Sequence, residues 1–255
     1  MNPNTLLITG ASRGIGAATA RLAATRGWDV AVNYTQDEAA AQAVAADVRA
    51  AGRRALVLKG DVGVEADVVA LFAAIDREWG AAAGNAGLRG LVNNAGVVDV
   101  AARVDDMSGA RLQRMFAINV LGTMWAAREA VRRMSTRHGG RGGVIVNLSS
   151  AAAKLGSPGQ YVDYAAAKGA VDVFTLGLAR EVAAEGIRVN AVRPGVIETD
   201  IHASGGQPGR AAQLAPTLPM QRSGSAEEVA QAIVWLLSDD SSYTTGHVLD
   251  VTGGR

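Results

Sequence analysis

The fold is decided by the stretch Thr9-Gly-Ala-Ser-Arg13-Gly14-Ile-Gly16 near the start of the chain. It follows the predicted strand Thr5–Thr9 and opens a predicted helix at residues 14–26. Glycine at these positions permits a tight turn and lets a pyrophosphate approach the N-terminus of the helix. Because tight strand-to-helix turns also need glycine for structural reasons, the context carries the inference. A glycine-rich turn between these two elements predicts a bound nucleotide.

Outward from the turn, short runs rich in β-branched residues and leucine alternate with long alanine-rich stretches of helical period. The predicted strands are Thr5–Thr9, Asp29–Asn33, Ala55–Lys59, Gly90–Asn93, Val144–Leu148, Arg188–Val192 and His247–Asp250. The predicted helices cover residues 14–26, 37–51, 65–79, 108–136, 163–185 and 225–238. This alternation predicts an α/β fold, with one Rossmann-type domain over residues 1–255 and a doubly wound, seven-stranded parallel sheet with helices on both faces.

The composition limits the possible function classes. Of the 255 residues, 49% are hydrophobic and 19% are charged, and the formal net charge of +1 comes from interspersed charges of both signs. No basic face for nucleic acid is therefore expected. The chain has no cysteine, its first residues lack the pattern of a signal peptide, and no apolar run reaches the roughly 20 residues of a membrane span. We expect a soluble cytoplasmic protein that binds neither nucleic acid nor membrane.

A possible acid–base pair lies on the predicted helix 163–185, where Tyr164 and Lys168 are four residues apart and share a face. A free tyrosine titrates near pH 10, and lowering its pKa by about three units requires about 4 kcal/mol. An ammonium group about 4 Å away supplies roughly that much at an effective dielectric constant of about 20. Such a tyrosine exchanges protons with an alcohol or carbonyl near neutral pH. The pair, with Ser150 just after a strand, predicts a carbonyl/alcohol oxidoreductase.

The candidate residues are expected to meet at one edge of the sheet. In doubly wound sheets, ligands bind outside the carboxyl ends of the strands. The residues that fall at those ends are Gly10, Asp61, Asn93, Ser150 and Pro194. The sequence therefore predicts one crevice for cofactor and substrate.

The motifs together resemble the short-chain dehydrogenase/reductase family over nearly the whole chain. The resemblance rests on the glycine spacing, Asn93-Asn94-Ala95-Gly96, Asn119, Ser150, Tyr-x-x-x-Lys and Pro194-Gly195. The stretch from Ser149 to Pro194 is most similar to 3-oxoacyl-carrier-protein reductases and to glucose 1-dehydrogenase-like members. The resemblance implies hydride transfer between a nicotinamide and a small-molecule carbonyl or secondary alcohol. It also implies a substrate lid near residues 200–222 and a homotetramer.

The resemblance implies a catalytic role for four residues. Tyr164 would be the acid/base, and Lys168 would lower its pKa and hold the nicotinamide ribose. Ser150 would orient the substrate carbonyl, with Ser149 as the competing candidate. Asn119 would kink its helix and hold a water that relays protons from Lys168. Its alternative role is that of a helix asparagine bonded to its own backbone.

Cofactor contacts are implied in the glycine turn and after the strands. Asp61 and Val62 would contact the adenine, although Asp61 is also a candidate cap of the next helix. Thr199 would meet the nicotinamide amide. The full set of implied cofactor-binding positions, besides Tyr164 and Lys168, is Gly10, Ser12, Arg13, Gly14, Ile15, Gly16, Asn33, Tyr34, Asp61, Val62, Asn93, Ala95, Gly96, Pro194, Gly195, Val196, Ile197 and Thr199.

The end of the second predicted strand bears on the choice between NAD and NADP. An acidic residue about 20 residues past the glycine turn would bind the ribose 2′-hydroxyl of NAD. Here the strand ends Val32-Asn33-Tyr34, so Asn33 brings no negative charge, and Arg13 can bind a 2′-phosphate. NADP(H) is favoured. Arg13 has an alternative role as a solvated loop charge, and Asp37 keeps NAD(H) as the second candidate.

No metal site is expected. The histidines at 138, 202 and 247 have neither a carboxylate nor a second histidine at ligand spacing. His202 lies in the lid segment and is interpreted as a solvated loop residue that could touch substrate. A second glycine-rich run, Gly84-Asn-Ala-Gly87-Leu-Arg-Gly90, precedes a strand instead of following one and is interpreted as a surface loop.

The sequence has no readable code for the substrate. Tyr161 lacks a lysine four residues on and is interpreted as a wall of the substrate pocket or as packing. Many carrier-protein reductases have a basic residue just before the Gly-Ile that precedes the sixth strand, and the residue here is Glu185. This difference weakens the carrier-protein interpretation. The alternatives are a 3-oxoacyl-carrier-protein reductase or sugar 1-dehydrogenase and, more remotely, a non-catalytic dinucleotide-binding sensor.

Overall fold

The computed structural model describes residues 4–80, 87–201 and 205–255. His202 and residues 84–86 of the second glycine-rich run lie outside the described residues. The described chain contains a seven-stranded sheet. Its strands are β1 Asn4–Ile8, β2 Trp28–Tyr34, β3 Ala55–Lys59, β4 Leu88–Asn93, β5 Gly143–Leu148, β6 Ile187–Pro194 and β7 Val248–Val251.

All neighbouring strands of the sheet are parallel, in the order β3-β2-β1-β4-β5-β6-β7. The chain runs outward from β1 to β3, returns to β4, and then runs outward the other way. The point where the strand order reverses, between β1 and β4, opens a crevice at the carboxyl ends of the strands. The predicted Rossmann-type, doubly wound parallel sheet is confirmed.

Helices cover both faces of the sheet. They are α1 Gly14–Thr25, α2 Glu38–Ala50, α3 Glu65–Trp79, α4 Gly109–Phe116, α5 Gly122–Met134, α6 Ala152–Leu155, α7 Val162–Val182, α8 Arg210–Leu214 and α9 Ala226–Leu237. One apolar core lies between the sheet and α1, α2 and α9, and a second lies between the sheet and α3, α5 and α7. Both faces of the strands are therefore buried, which explains why the strands read as continuous apolar runs.

The helices differ from the predicted ones in three places. The predicted helix 108–136 is divided by a π-helical segment, Ala117–Leu121, because the side chain of Asn119 bonds to backbone of the preceding turn. The predicted helix 163–185 ends at Val182 and continues as a 3₁₀ turn before Gly186, whose φ is 78°. The short helices α6 and α8 lack a period long enough to predict. Within the described residues, no helix is long and apolar enough to cross a membrane.

Candidate active site

The glycine-rich turn between β1 and α1 has a backbone that only small residues fit. Gly10 has a φ of 59°, and a Cβ there would lie 2.9 Å from Cα of Ala95. Gly14 has a φ of 55°, and a Cβ there would lie 3.5 Å from the Thr199 methyl group. Arg13, at the N-cap of α1, does not cap the helix with its side chain. The first backbone N–H groups of α1 thus face a glycine cradle, which fits the pyrophosphate of a dinucleotide.

Asn94 clamps this turn, although sequence analysis did not assign it to the site. Its Nδ2 donates hydrogen bonds to the carbonyl oxygens of Thr9 (2.9 Å) and Gly10 (2.8 Å). In return, Thr9 Oγ1 accepts from the backbone N–H of Asn94 and of Ala95, both at 3.0 Å. A Cβ on Gly16 would lie only 2.5 Å from Asn94 Nδ2. Gly16 is therefore needed to make room for the clamp.

The turn opens into a cleft of about 680 Å³ that contains most of the implied site residues. The cleft is lined from the glycine turn, from the carboxyl ends of the strands, and from the segment after β6. The implied site residues that line it are Gly10, Ser12, Arg13, Gly14, Ile15, Tyr34, Asp61, Val62, Ala95, Gly96, Ser150, Tyr164, Lys168, Pro194, Gly195, Val196, Ile197 and Thr199. Four others, Gly16, Asn33, Asn93 and Asn119, do not line it.

Tyr164, Lys168 and Ser150 meet on one wall of the cleft. Tyr164 and Lys168 lie one turn apart on α7, and Ser150 follows β5. Ser150 lies close enough to the Tyr164 hydroxyl to act on its pKa. Nζ of Lys168 lies 5.6 Å from the centre of the Tyr164 ring and donates a 2.7 Å hydrogen bond to the Leu148 carbonyl oxygen. The β5–α7 junction therefore fixes a phenol, a hydroxyl and an ammonium group in one place.

The pKa values of the pair are dominated by burial. Lys168 is only 3% exposed, and this burial lowers its pKa from 10.5 to about 8. Burial also raises the pKa of Tyr164, although Ser150 acts in the opposite direction. The expectation that Lys168 lowers the pKa of Tyr164 thus differs from the balance in the structure. The physical reason is that the ammonium is directed to the Leu148 carbonyl, while the phenol is desolvated.

Comparisons with known proteins agree with this geometry. A family model described as enoyl-(acyl carrier protein) reductase matches residues 10–255. The oxidoreductase YgfF of Escherichia coli is 54% identical over 249 residues, which cover 98% of each chain. A Serratia marcescens short-chain dehydrogenase/reductase, solved as a double mutant, superposes with a TM-score of 0.88 at 31% identity, covering 98% of this chain and 97% of the other. This chain belongs to the short-chain dehydrogenase/reductase family.

Other relatives have names that specify different substrates. 3β-Hydroxysteroid dehydrogenase 1 of Eggerthella lenta is 38% identical over 251 residues, covering 98% of this chain and 92% of that protein. Glucose 1-dehydrogenase 2 of Bacillus subtilis is 34% identical over 250 residues, covering 98% of this chain and 93% of that protein. This short-chain dehydrogenase/reductase is therefore an oxidoreductase of a family that uses NAD(P)(H) and acts on small-molecule alcohols or carbonyls.

Asn33, an expected cofactor-site residue, does not line the cleft of this dehydrogenase/reductase. Its side chain is 1% exposed, with Oδ1 accepting from Gly10 N (3.1 Å) and Nδ2 donating to Gly60 O (3.0 Å). Asn33, on β2, is thus hydrogen-bonded to the residues that follow β1 and β3. β2 continues to Tyr34, so the chain reaches the cleft only with Tyr34 and the residues after it.

Asn93 is also a structural residue in this dehydrogenase/reductase. Its Nδ2 donates to Oδ1 of Asn147 (2.9 Å) and to the carbonyl oxygen of Thr123 (3.3 Å), and it is 3% exposed. It joins β4 to β5 and α5 inside the sheet–helix layer. The neighbouring Asn94, which follows the end of β4, lines the cleft instead.

Asn119 lies behind the cleft wall, fully buried in the π-helical segment. Its Oδ1 accepts from Val97 N (3.1 Å), and its Nδ2 donates to the carbonyl oxygens of Val97 and Met115, both at 3.0 Å. The expected irregularity of the helix is found here, as is the expected bond to its own backbone. A Cβ on Gly96 would lie 2.8 Å from Asn119 Oδ1 and 3.4 Å from Lys168 Nζ, so Gly96 separates the two polar groups. The water relay stays a prediction.

Two polar residues support Lys168 from α7 and β5. Ser149 Oγ donates to the carbonyl oxygen of Lys168 at 3.2 Å and is buried, which makes it a link between β5 and α7. Asp172 lies one turn beyond Lys168, and its charge raises the pKa of that lysine against the effect of burial. Asp172 Oδ2 accepts from Arg193 Nε at 2.9 Å, while its buried Oδ1 has no hydrogen-bond partner among the described residues.

The structure adds Thr35 and Gln36, which sequence analysis did not place at the cofactor end. They follow β2 and line the cleft together with Asp37, the residue that keeps NAD(H) as the second candidate. Asp37 Oδ1 accepts from Ala40 N at 2.8 Å and so caps α2. At the substrate end, Tyr161 and residues of the 200–222 segment line the cleft. The predicted second strand ends at Asn33, whereas β2 ends at Tyr34. Ending the predicted strand at Tyr34 would have placed Thr35 and Gln36 at the cleft.

Proposed function

We propose that this protein is an NADP(H)-dependent oxidoreductase that interconverts a small-molecule carbonyl and its secondary alcohol. The observation that carries the proposal is that Ser150, Tyr164 and the Lys168 ammonium group meet in the cleft that the glycine-rich turn opens. A nicotinamide cofactor bound there supplies or accepts the hydride. The glycine cradle would hold its pyrophosphate, and Lys168 would hold its ribose.

Side chains of the protein transfer the proton to and from the substrate oxygen. In the reductive direction, the Tyr164 hydroxyl donates a proton to the oxygen of the substrate carbonyl as negative charge develops there. The Ser150 hydroxyl, which lines the cleft with Tyr164, orients the same oxygen. Lys168, with a pKa of about 8, is mostly protonated at neutral pH, so a positive charge lies 5.6 Å from the centre of the Tyr164 ring as the proton leaves. In the oxidative direction, the Tyr164 phenolate removes the proton from the alcohol.

Charges at the cofactor end of the cleft support NADP(H) over NAD(H). Arg13 is exposed at the turn, and no hydrogen bond or ion pair engages its guanidinium group among the described residues. Thr35 and Gln36 bring no negative charge, and the Asp37 carboxylate already caps α2. Arginine suits a phosphate group because its planar fork donates two hydrogen bonds.

A homotetramer is part of the proposal. Large apolar side chains are exposed on α4 and α7, among them Phe116 (38%), Val173 (73%) and Leu176 (38%). Exposed apolar groups of this kind favour contact with another protein surface. We also propose a cytoplasmic location, a lid formed by segment 200–222, and no nucleic-acid or membrane partner.

Glu185, the acidic residue that weakens the carrier-protein interpretation, lies at the edge of the sheet opposite the cleft. It precedes β6, whose other end, Pro194, lines the cleft. A strand of this length spans about 26 Å, at roughly 3.3 Å per residue. Glu185 also accepts a hydrogen bond from Ser135 Oγ. The carrier-protein and sugar alternatives both stay proposals.

The test is a turnover assay with matched cofactors. NADPH and NADH oxidation is measured with a panel of aliphatic, cyclic and acyl-linked ketones, and NADP⁺ and NAD⁺ reduction with secondary alcohols and sugars. We expect turnover of at least one carbonyl–alcohol pair, with a higher kcat/KM for the phosphorylated cofactor. The Tyr164→Phe variant is the inactive control. No turnover with any cofactor would contradict the proposed reaction, and a preference for NADH would contradict the cofactor assignment alone.

A further inference from the structure

Arg210 brings a positive charge to the substrate end of the cleft. It begins α8 in segment 200–222, is partly buried, and lines the cleft together with Tyr164 and Ser150. Its Cζ lies 5.3 Å from the centre of the Tyr161 ring, over the ring face. Tyr161 is 8% exposed and is the residue at the N-terminus of α7, three positions before Tyr164. The guanidinium group is therefore held next to the helix end that carries the acid/base.

The partners of Arg210 fix its position without neutralising it. Nη1 donates to Oε1 of Gln207 at 2.5 Å, and Nη2 donates to Oε1 of Gln160 at 2.6 Å. Both acceptors are uncharged amide oxygens. A guanidinium has five N–H donors, so donors remain for a ligand.

Arg13, Arg114 and Arg255 also line the cleft but are exposed, whereas two half-buried arginines on α4 and β6 are ion-paired. Arg111 forms an ion pair with Asp163 at 2.8 Å, and Arg193 forms one with Asp172 at 2.8 Å. Among the described residues, no carboxylate lies within ion-pair distance of Arg210, although Asp99 and Asp200 line the same cleft. A partly buried charge without a counter-charge is costly unless a ligand supplies one.

We infer that Arg210 binds a carboxylate group of the substrate, so that the preferred substrates are keto acids and the corresponding hydroxy acids. This inference rests on the proposed function. The preordered guanidinium offers the bidentate geometry that a carboxylate prefers. Leu155 and Leu214 also line the cleft and would contact the carbon chain of the substrate.

The test compares each keto acid with its neutral amide. The keto acids place the carbonyl two, three or four carbons from the carboxylate, and kcat/KM is measured by NADPH oxidation. In the wild-type protein, we expect at least one acid to exceed its amide by about tenfold or more, in the range of a charge-assisted hydrogen bond. Arg210→Ala should remove this preference by raising KM for the acid more than KM for the amide. Arg210→Lys should keep part of the preference, because it keeps the charge and loses the fork.

Arg137→Ala is the matched control, because Arg137 is exposed just before β5, at the opposite edge of the sheet. It removes the same charge and should leave the acid-to-amide ratio unchanged. Equal kcat/KM for acids and amides in the wild-type protein, or an unchanged ratio in Arg210→Ala, would overturn the inference and leave the proposed function intact. Absence of turnover with every carbonyl would instead contradict the proposed function.

A binding measurement keeps the inference testable without turnover. Hexanoate and hexanamide are titrated calorimetrically into the wild-type and Arg210→Ala proteins, after circular dichroism has shown both to be folded. Preferential binding of hexanoate that is lost in the variant supports the carboxylate site. Equal binding of the two compounds, or hexanoate binding that survives in the variant, refutes it.

Discussion

Replacing Lys168 with methionine should stabilise the protein while it abolishes the proposed chemistry. Methionine is similar in length and unbranched, so it fills the same buried space between α7 and β5. The substitution removes an ammonium group that is 3% exposed and whose pKa is lowered to about 8 by burial. A residue kept at such a site against its own desolvation is one that function requires.

The size of the expected stabilisation follows from the lowered pKa of Lys168. A fall from 10.5 to about 8 corresponds to about 3 kcal/mol of destabilisation when both the folded and unfolded states carry the proton. The variant also loses the 2.7 Å hydrogen bond from the charged ammonium to the Leu148 carbonyl, a loss of about 2 kcal/mol. We therefore expect the free energy of unfolding of Lys168→Met to exceed that of the wild type by about 1 kcal/mol at pH 7.

The sign of the pH dependence is fixed by the direction of the shift. Below about pH 8, Lys168 is charged in both the folded and the unfolded protein, and the full free-energy cost of burying its charge is present. Between about pH 8 and 10.5, the unfolded chain binds the proton while the folded chain does not, so rising pH stabilises the wild type. The advantage of the variant should therefore shrink over this window.

The assay is urea unfolding of both proteins at a series of pH values from 7 to about 10, the window set by the displaced pKa. Lys59→Met is the control, since Lys59 is an exposed residue at the end of β3, and its effect should be small and independent of pH. An unfolding free energy for Lys168→Met below that of the wild type at pH 7, or an advantage that does not change with pH, would refute the reasoning.

Three further substitutions test the site. Tyr164→Phe should lower kcat by at least about 100-fold, because the proton donor is lost, with NADPH affinity in fluorescence titration nearly unchanged; near-normal turnover would remove Tyr164 from the mechanism. Asn33→Asp should lower the free energy of unfolding by about 2 kcal/mol or more, because the variant buries a charge and loses the hydrogen bond donated to Gly60 O. An unchanged free energy of unfolding in urea would show that the Asn33 hydrogen bonds do not stabilise the ends of these strands. Arg13→Ala should weaken NADPH binding by about one to two decades and NADH binding little, as measured by titration of both cofactors; equal losses would assign Arg13 to the shared pyrophosphate.

The sheet and the glycine turn were predictable because their signals are local. β-Branched runs, a helical period and glycines between them fix the order of elements, and the carboxyl ends of parallel strands then meet at one edge. Tyr164 and Lys168 were predictable for the same reason, since helix geometry alone places them on one face.

The roles of Asn33, Asn93 and Asn94 were not predictable to the same extent. Side chains alternate along a strand, so an error of one residue in a strand end reverses which side chain faces the cleft. β2 ends at Tyr34 instead of Asn33. Asn33 therefore lies within the strand, and its side chain is buried in the interior. Arg210 has no local signal, because its environment depends on Gln160 and Tyr161, which are distant in the sequence.

The Asn94 clamp has a consequence for the order in which the protein folds. Asn94 and Thr9 are 85 positions apart, so the clamp closes only after a long loop has been closed at an entropic cost. A nascent chain that has formed only β1, α1 and β2 carries the glycine-rich motif without the bonds that shape it. Cofactor affinity should therefore arise in a single late step, when β4 pairs with β1, and a cofactor that binds only the closed form would draw the folding equilibrium toward completion.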